Sequence, residues 1–166
     1  MTKTFIIIFP ALMAFAACSD LLTMRISNRL VLITVAAFFP LAFFAGLTLP
    51  LLGMHLGIAA LVLVVTFAMF AAGWIGGGDA KLAAAIVLWL GLDLALPFLV
   101  YAALLGGALT LLILIVRRYM LPAPLLNVGW IVRLHDQKTG IPYGIALAAA
   151  AMLVYPQSAI YQAFAG

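Results

Sequence analysis

Four aspartates, Asp20, Asp79, Asp93 and Asp136, are the only acidic residues in this chain. The sequence is 69% hydrophobic and 7% charged. An ionisable group in such surroundings is costly to place, so each one calls for a reason. Two carboxylates that meet cannot both ionise easily and share a proton. The ionised member can draw a proton from a water molecule as it attacks a carbonyl carbon. The protonated member can hydrogen-bond the carbonyl oxygen and later help protonate the leaving amine. That chemistry hydrolyses a peptide without metal or cofactor, and neither is expected here.

Whether two of the four can meet depends on the elements that carry them. Apolar stretches long enough to cross a bilayer recur along all 166 residues. The expected fold class is therefore all-α, a polytopic membrane protein with about six transmembrane helices in one unit, residues 1–166. The short alternating segments of a transmembrane barrel are absent. The spans are expected over about residues 5–22, 30–47, 51–72, 80–96, 97–116 and from 141 to 155 or beyond Pro156. Pro10 would kink the first, and Pro97 would open the fifth at its first helical position. Residues 125–134 read as a short amphipathic helix lying at the interface. The start, Lys3 to Cys18, also resembles a lipoprotein signal, but that reading would leave a mature lipoprotein made only of further spans. The single cysteine, Cys18, excludes an intramolecular disulfide and any multi-cysteine metal site.

With sides alternating, one face holds Arg25, Arg29, Lys81, Arg117, Arg118, Arg133 and Lys138, and the other holds only Lys3. The positive-inside rule places the seven in the cytoplasm and both termini outside. These residues are topology signals and not a nucleic-acid surface, and the bilayer itself is the expected surrounding. Asp20 ends span one and Asp79 starts span four. Two crossings separate them, so they share a face whatever the absolute orientation. Asp136 shares that face in a loop, and Asp93 lies on the other.

Taken singly, Asp79 reads as a helix N-cap after the glycine run Gly76-Gly77-Gly78. Asp20 is harder to explain, because a helix dipole disfavours an anion at its C-terminal end. Together they make a candidate site, with side-chain-free Gly76 and Gly78 letting an extended substrate backbone approach Asp79. Other hydrolytic chemistries fare worse. The chain has no Glu, which excludes a His-Glu-x-x-His zinc site. His55 falls on the far side, and His135 beside Asp136 reads as a solvated loop pair. No glycine-framed serine supports Ser19 or Ser27 as a nucleophile. The glycine run lacks the Gly-Lys-Ser/Thr ending of a phosphate loop.

Gly76-Gly77-Gly78-Asp79-Ala80-Lys81-Leu82, Asp20 followed by Arg25-Ile26-Ser27-Asn28, and Pro142-Tyr143-Gly144 together carry a resemblance. The chain resembles the type IV prepilin peptidases, membrane aspartic proteases of the Gly-x-Gly-Asp class, and in particular the short form found in tight-adherence (Flp-type) pilus systems. The resemblance implies Asp20 and Asp79 as the catalytic pair, Gly76, Gly78 and Lys81 as motif partners, and a prepilin or pseudopilin precursor as substrate. Cleavage would fall at the cytoplasmic face of the bacterial inner membrane, between a basic leader ending in Gly and an apolar helix with an early Glu. Long members carry a domain with paired Cys-x-x-Cys motifs and also methylate the product. With Cys18 alone, cleavage without methylation is expected and no separate methyltransferase domain. Arg25, Asn28 and Tyr143 are candidates for orienting substrate, with topology and packing as the plainer readings. Two other classes remain open: a small ion-coupled transporter, and a structural membrane subunit. Against the transporter, both Asp lie at the boundary and not the midplane, and no second broken span is apparent.

Overall fold

The computed structural model describes residues 2–166 and, among them, is all helical. Eight α-helices follow in order: α1 (Ile8–Thr23), α2 (Asn28–Phe44), α3 (Leu49–Ala71), α4 (Gly77–Leu90), α5 (Leu92–Val116), α6 (Gly129–His135), α7 (Tyr143–Val154) and α8 (Ala159–Ala165). Three stretches are long and apolar enough to cross a membrane unaided: Thr4–Thr23, Leu49–Ala71 and Leu92–Val116. A fourth is bent by 55°, where Tyr143–Gln157 meets Ala159–Ala165. With the 17-residue α2 and the enclosed α4, this is consistent with about six spans. Leu32, Ile33, Val64, Phe67, Leu104 and Leu111 point outward, as suits helices solvated by lipid.

The architecture is built around α4. At 14 residues it is about 21 Å long, short of the hydrocarbon thickness. It reaches no lipid along most of its length: every residue from Leu82 to Leu90 is buried. It packs chiefly on α3, and also on α2, α7 and α5. Small residues permit the close approach, with Ala83, Ala84 and Ala85 on α4 and Ala146, Ala148, Ala150 and Ala151 on α7. Its larger side chains lock into neighbours. The Trp89 indole N–H donates to the Thr34 carbonyl of α2 (2.9 Å), and its ring meets Phe9 of α1 at 5.0 Å.

Several boundaries differ from expectation. The fourth span does not run to residue 96, and Pro97 lies inside α5. The chain turns at Gly91, with φ +79°, directly after Leu90. Such a turn leaves the last carbonyls of α4 without partners, and His55 of α3 supplies one. Its Nδ1 donates to the Leu88 carbonyl at 2.8 Å. The imidazole occupies the space a Gly91 side chain would need, 2.8 Å from a Cβ built there. Pro10 does not break α1, because 3₁₀ turns fill residues 2–7 and α1 begins only at Ile8. Its missing N–H therefore falls in the first turn, where none is needed. The 125–134 segment divides into a 3₁₀ turn, Ala123–Asn127, and the seven-residue α6.

Gly91→Ala adds both backbone strain and a clash with His55. It is expected to lower stability by about 1–3 kcal/mol in thermal unfolding of the detergent-solubilised chain. Gly107→Ala, in open space within α5, is expected to leave the midpoint unchanged or slightly raised.

Candidate functional site

Asp20 and Asp79 line one cavity of about 520 Å³. The end of α1, the α1–α2 loop and the glycine run form its walls, and Ser19, Arg25, Ser27, Asn28, Gly76 and Gly78 are among its lining residues. The parity argument thus has a structural counterpart: the two carboxylates that two crossings separate in sequence face the same space.

Asp20 is 5% exposed, one turn before the end of α1. A carboxylate buried there must find donors inside the protein. The donor is the backbone of another helix: the Gly144 N–H, in the first turn of α7, donates to Asp20 Oδ2 at 2.7 Å. The unsatisfied N–H groups of a helix N-terminus suit an anion, which offsets the unfavourable end of α1. Contact this close requires glycine. A Cβ on residue 144 would lie 2.8 Å from Asp20 Oδ2 and 2.9 Å from Ile26 Cδ1.

Asp79 is half-buried in the first turn of α4. It is not the N-cap, as the sequence suggested; Gly76 holds that place. The carboxylate folds back over Gly76, where a Cβ would sit 2.7 Å from Asp79 Oδ2. The Thr66 hydroxyl ties the following residue to α3 by donating to the Ala80 carbonyl. Each glycine of the run also makes room for something specific. A Cβ on residue 77 would lie 3.2 Å from the Phe70 ring, and one on residue 78 would lie 3.1 Å from Ile26 Cβ. Ile26 therefore lies between Gly78 beside one aspartate and Gly144 beside the other. Its position comes from the α1–α2 loop, where Met24 takes a left-handed conformation (φ 54°) and its N–H donates to the Asp20 carbonyl at 2.7 Å. The Ser19 and Thr23 hydroxyls both donate to the Arg25 carbonyl, and Ser27 caps α2 by accepting from Leu30 N–H.

Lys81 reaches across from α4, and its Nζ donates to Asn28 Oδ1 at 2.9 Å, pinning the glycine run to the start of α2. Arg25 lines the cavity. Tyr143 does not: its ring lies against Gly106 of α5, with its hydroxyl 3.4 Å from that of Thr110. Asp93 stands in the first turn of α5, beyond the opposite end of α4. Asp136 caps the turn after α6, accepting from Lys138 N–H. His135 is not part of a solvated pair; it lines an apolar cavity beside Leu21 and Ile145, with Nδ1 buried and unpartnered. The hydroxyls of Ser19 and Ser27 are committed to the local bonds above. Among the described residues, no three His, Cys or Asp side chains gather as metal ligands do.

Sequence reasoning missed Gly144 and Ile26. Pro142-Tyr143-Gly144 stood out as a motif, but nothing in it says that an amide will meet a carboxylate 124 residues away. Gly144→Ala is expected to cost about 1–3 kcal/mol in thermal unfolding. In an Asp20→Ala background the cost should shrink by about 1 kcal/mol or more, because the facing oxygen is gone. An undiminished cost would show that the clash lies elsewhere.

A family model for the type IV leader peptidases matches residues 7–111, a segment that includes both aspartates and ends within α5. No curated protein and no solved structure matches the chain. With more than half of its residues matched, this helical membrane protein belongs to the type IV leader peptidase family.

Proposed function

We propose that this chain is an aspartic endopeptidase that removes the leader of type IV prepilins or pseudopilins, of the Flp type, at the cytoplasmic face of the inner membrane. The observation that carries the reading is the single cavity lined by both Asp20 and Asp79 in a member of a leader peptidase family. The Gly144 N–H donates to Asp20 Oδ2, a bond that stabilises the ionised form of Asp20. That geometry favours Asp20 as the base toward water and Asp79 as the member that holds the shared proton and faces the carbonyl oxygen. Asp20 takes a proton from water as its oxygen attacks the peptide carbon, the Asp79 proton hydrogen-bonds the tetrahedral oxygen, and the proton held by Asp20 passes to the amine as the C–N bond breaks. Gly76, Gly78 and Lys81 support this arrangement by fixing the first turn of α4, on which Asp79 sits. Arg25 and Asn28 border the path of an extended substrate. Tyr143 acts at a distance, through the start of α7, and Gly144 joins it as a positioning residue.

The basic residues support the orientation. Lys81 and Asn28, Arg133 and the Leu22 carbonyl, and Arg117 and the residues 134–140 all meet at the same end as the aspartates. Cytoplasmic placement of this end follows from the positive-inside rule, with both termini outside.

The transporter reading gains one point from the structure, since the last span is bent by 55° before α8. Its other requirement, carboxylates near the midplane, is not met by residues at the end of α1 and the start of α4. The experiment that separates the readings uses membranes containing equal amounts of wild type, Asp20→Asn or Asp79→Asn and a Gly-ended prepilin. Wild type should cut, and each variant should lose at least about a thousandfold in rate while still inserting. Retained cleavage in either variant would remove that residue from the mechanism, and no cleavage by wild type would remove the reading.

A further inference from the structure

Ile26 stands between the two halves of the aspartate site. It lines the aspartate cavity and packs against the hydrophobic core. Its main chain and Cβ lie over the first turn of α4. A Cβ on residue 78, next to Asp79, would meet Ile26 Cβ at 3.1 Å, its carbonyl oxygen at 3.5 Å and its nitrogen at 3.6 Å. The far end of the side chain points the other way. Ile26 Cδ1 would lie 2.9 Å from a Cβ on residue 144, the residue whose N–H holds Asp20. One side chain therefore reaches from the start of the helix that carries Asp79 to the backbone group that holds Asp20.

Neither end gives way easily. Both contacts fall on glycines, so Ile26 meets backbone and not a side chain that could turn aside. Isoleucine is branched at Cβ and stiff about χ1. The loop is pinned on both sides of it. Met24 N–H donates to the Asp20 carbonyl, the Ser19 and Thr23 hydroxyls donate to the Arg25 carbonyl, and Ser27 accepts from the Leu30 N–H. A tie accompanies this stop. Lys81, two residues after Asp79, donates to Asn28, two residues after Ile26, and draws α4 onto the loop. The contact of Ile26 with Gly78 limits closer approach, and the Lys81–Asn28 bond resists withdrawal. Ile26 has no polar side-chain atom to offer the site; what it supplies is length.

We propose that Ile26 is a positioning residue whose length sets the separation of the Asp20 and Asp79 carboxylates. The inference rests on the peptidase reading and adds to it the element that fixes the spacing of its pair. A shared proton and one attacking water require the two carboxyl groups at a set distance. Misplacing reacting groups by about 1 Å can cost about a hundredfold in rate. Shortening the side chain leaves the backbone seat on Gly78 and removes the methyl end, so the start of α7 and Asp20 close toward Asp79. Lengthening it drives them apart.

The spacing can be read without cleavage. In the full chain carrying Cys18→Ser, Asp20→Cys and Asp79→Cys, the rate of disulfide formation in membranes under a mild oxidant reports how closely positions 20 and 79 approach. That rate should rise when Ile26→Val is added and rise further with Ile26→Ala, by about tenfold over the series, and it should fall with Ile26→Phe. General loosening of the loop would move all three variants the same way. With Cys18 and both aspartates restored, and at equal amounts of folded protein, Ile26→Ala should lower kcat on a Gly-ended prepilin by about tenfold. KM should stay within about twofold of wild type, and Ile26→Val should fall between the two. Disulfide rates that do not follow side-chain length overturn the proposal. So does a raised KM at unchanged kcat, which would make Ile26 a substrate contact. Both results leave the peptidase reading intact. If wild type cuts no precursor, the peptidase reading fails and the positioning role fails with it.

Discussion

A carboxylate at the edge of a hydrocarbon slab must be solvated by the protein, and here one hydrogen bond does most of that: Gly144 N–H to Asp20 Oδ2. It joins the end of α1 to the start of α7, two helices that pack along one another. The rest of the site follows from the closeness that bond demands. Residue 144 has no side chain, Ile26 fills the space beside it, and the same Ile26 rests on Gly78. The two aspartates are thereby referred to one common piece of structure, the α1–α2 loop, and not held by separate scaffolds.

The enclosed α4 gives the second aspartate its footing. A helix too short to cross the bilayer alone is stable here because other helices surround it and satisfy both its ends. Thr66 and Lys81 secure its beginning, and His55 secures its end. Asp79 sits in the first turn of α4, directly after the glycines that lead there from α3. Packing through alanines on α4 and α7 keeps the backbones close, so a shift in either helix is felt at the cavity.

Much of this was legible in the sequence. Asp20 and Asp79 stood out because carboxylates are so few, and their common face followed from counting crossings, which needs no contact information. The helical membrane class followed from apolar length alone. What was hidden depends on specific pairings. Gly91 reads as one small residue inside an apolar run, and only a positive φ and the His55 ring reveal a helix break. The glycine run suggested freedom for substrate, whereas the structure fills the space beside Gly77 and Gly78 with Phe70 and Ile26. Tyr143 and Gly144 are neighbours in sequence but face different helices, because the first residues of α7 point to α5 and α1 in turn.

Arg117 belongs to the basic set from which the chain's orientation is read, yet in the folded protein it is nearly inaccessible and bonded only to neutral acceptors. The same residue therefore serves two stages of the molecule's life. On the proposed orientation, its charge would bias during insertion which side of the bilayer the loop remains on. After folding, that charge is withdrawn from solvent and its hydrogen-bonding capacity is spent on fastening residues 134–140. Orientation and loop architecture are thus encoded in one side chain. A lysine in its place would keep the first message but lacks the planar fork with which four separate oxygens are gathered.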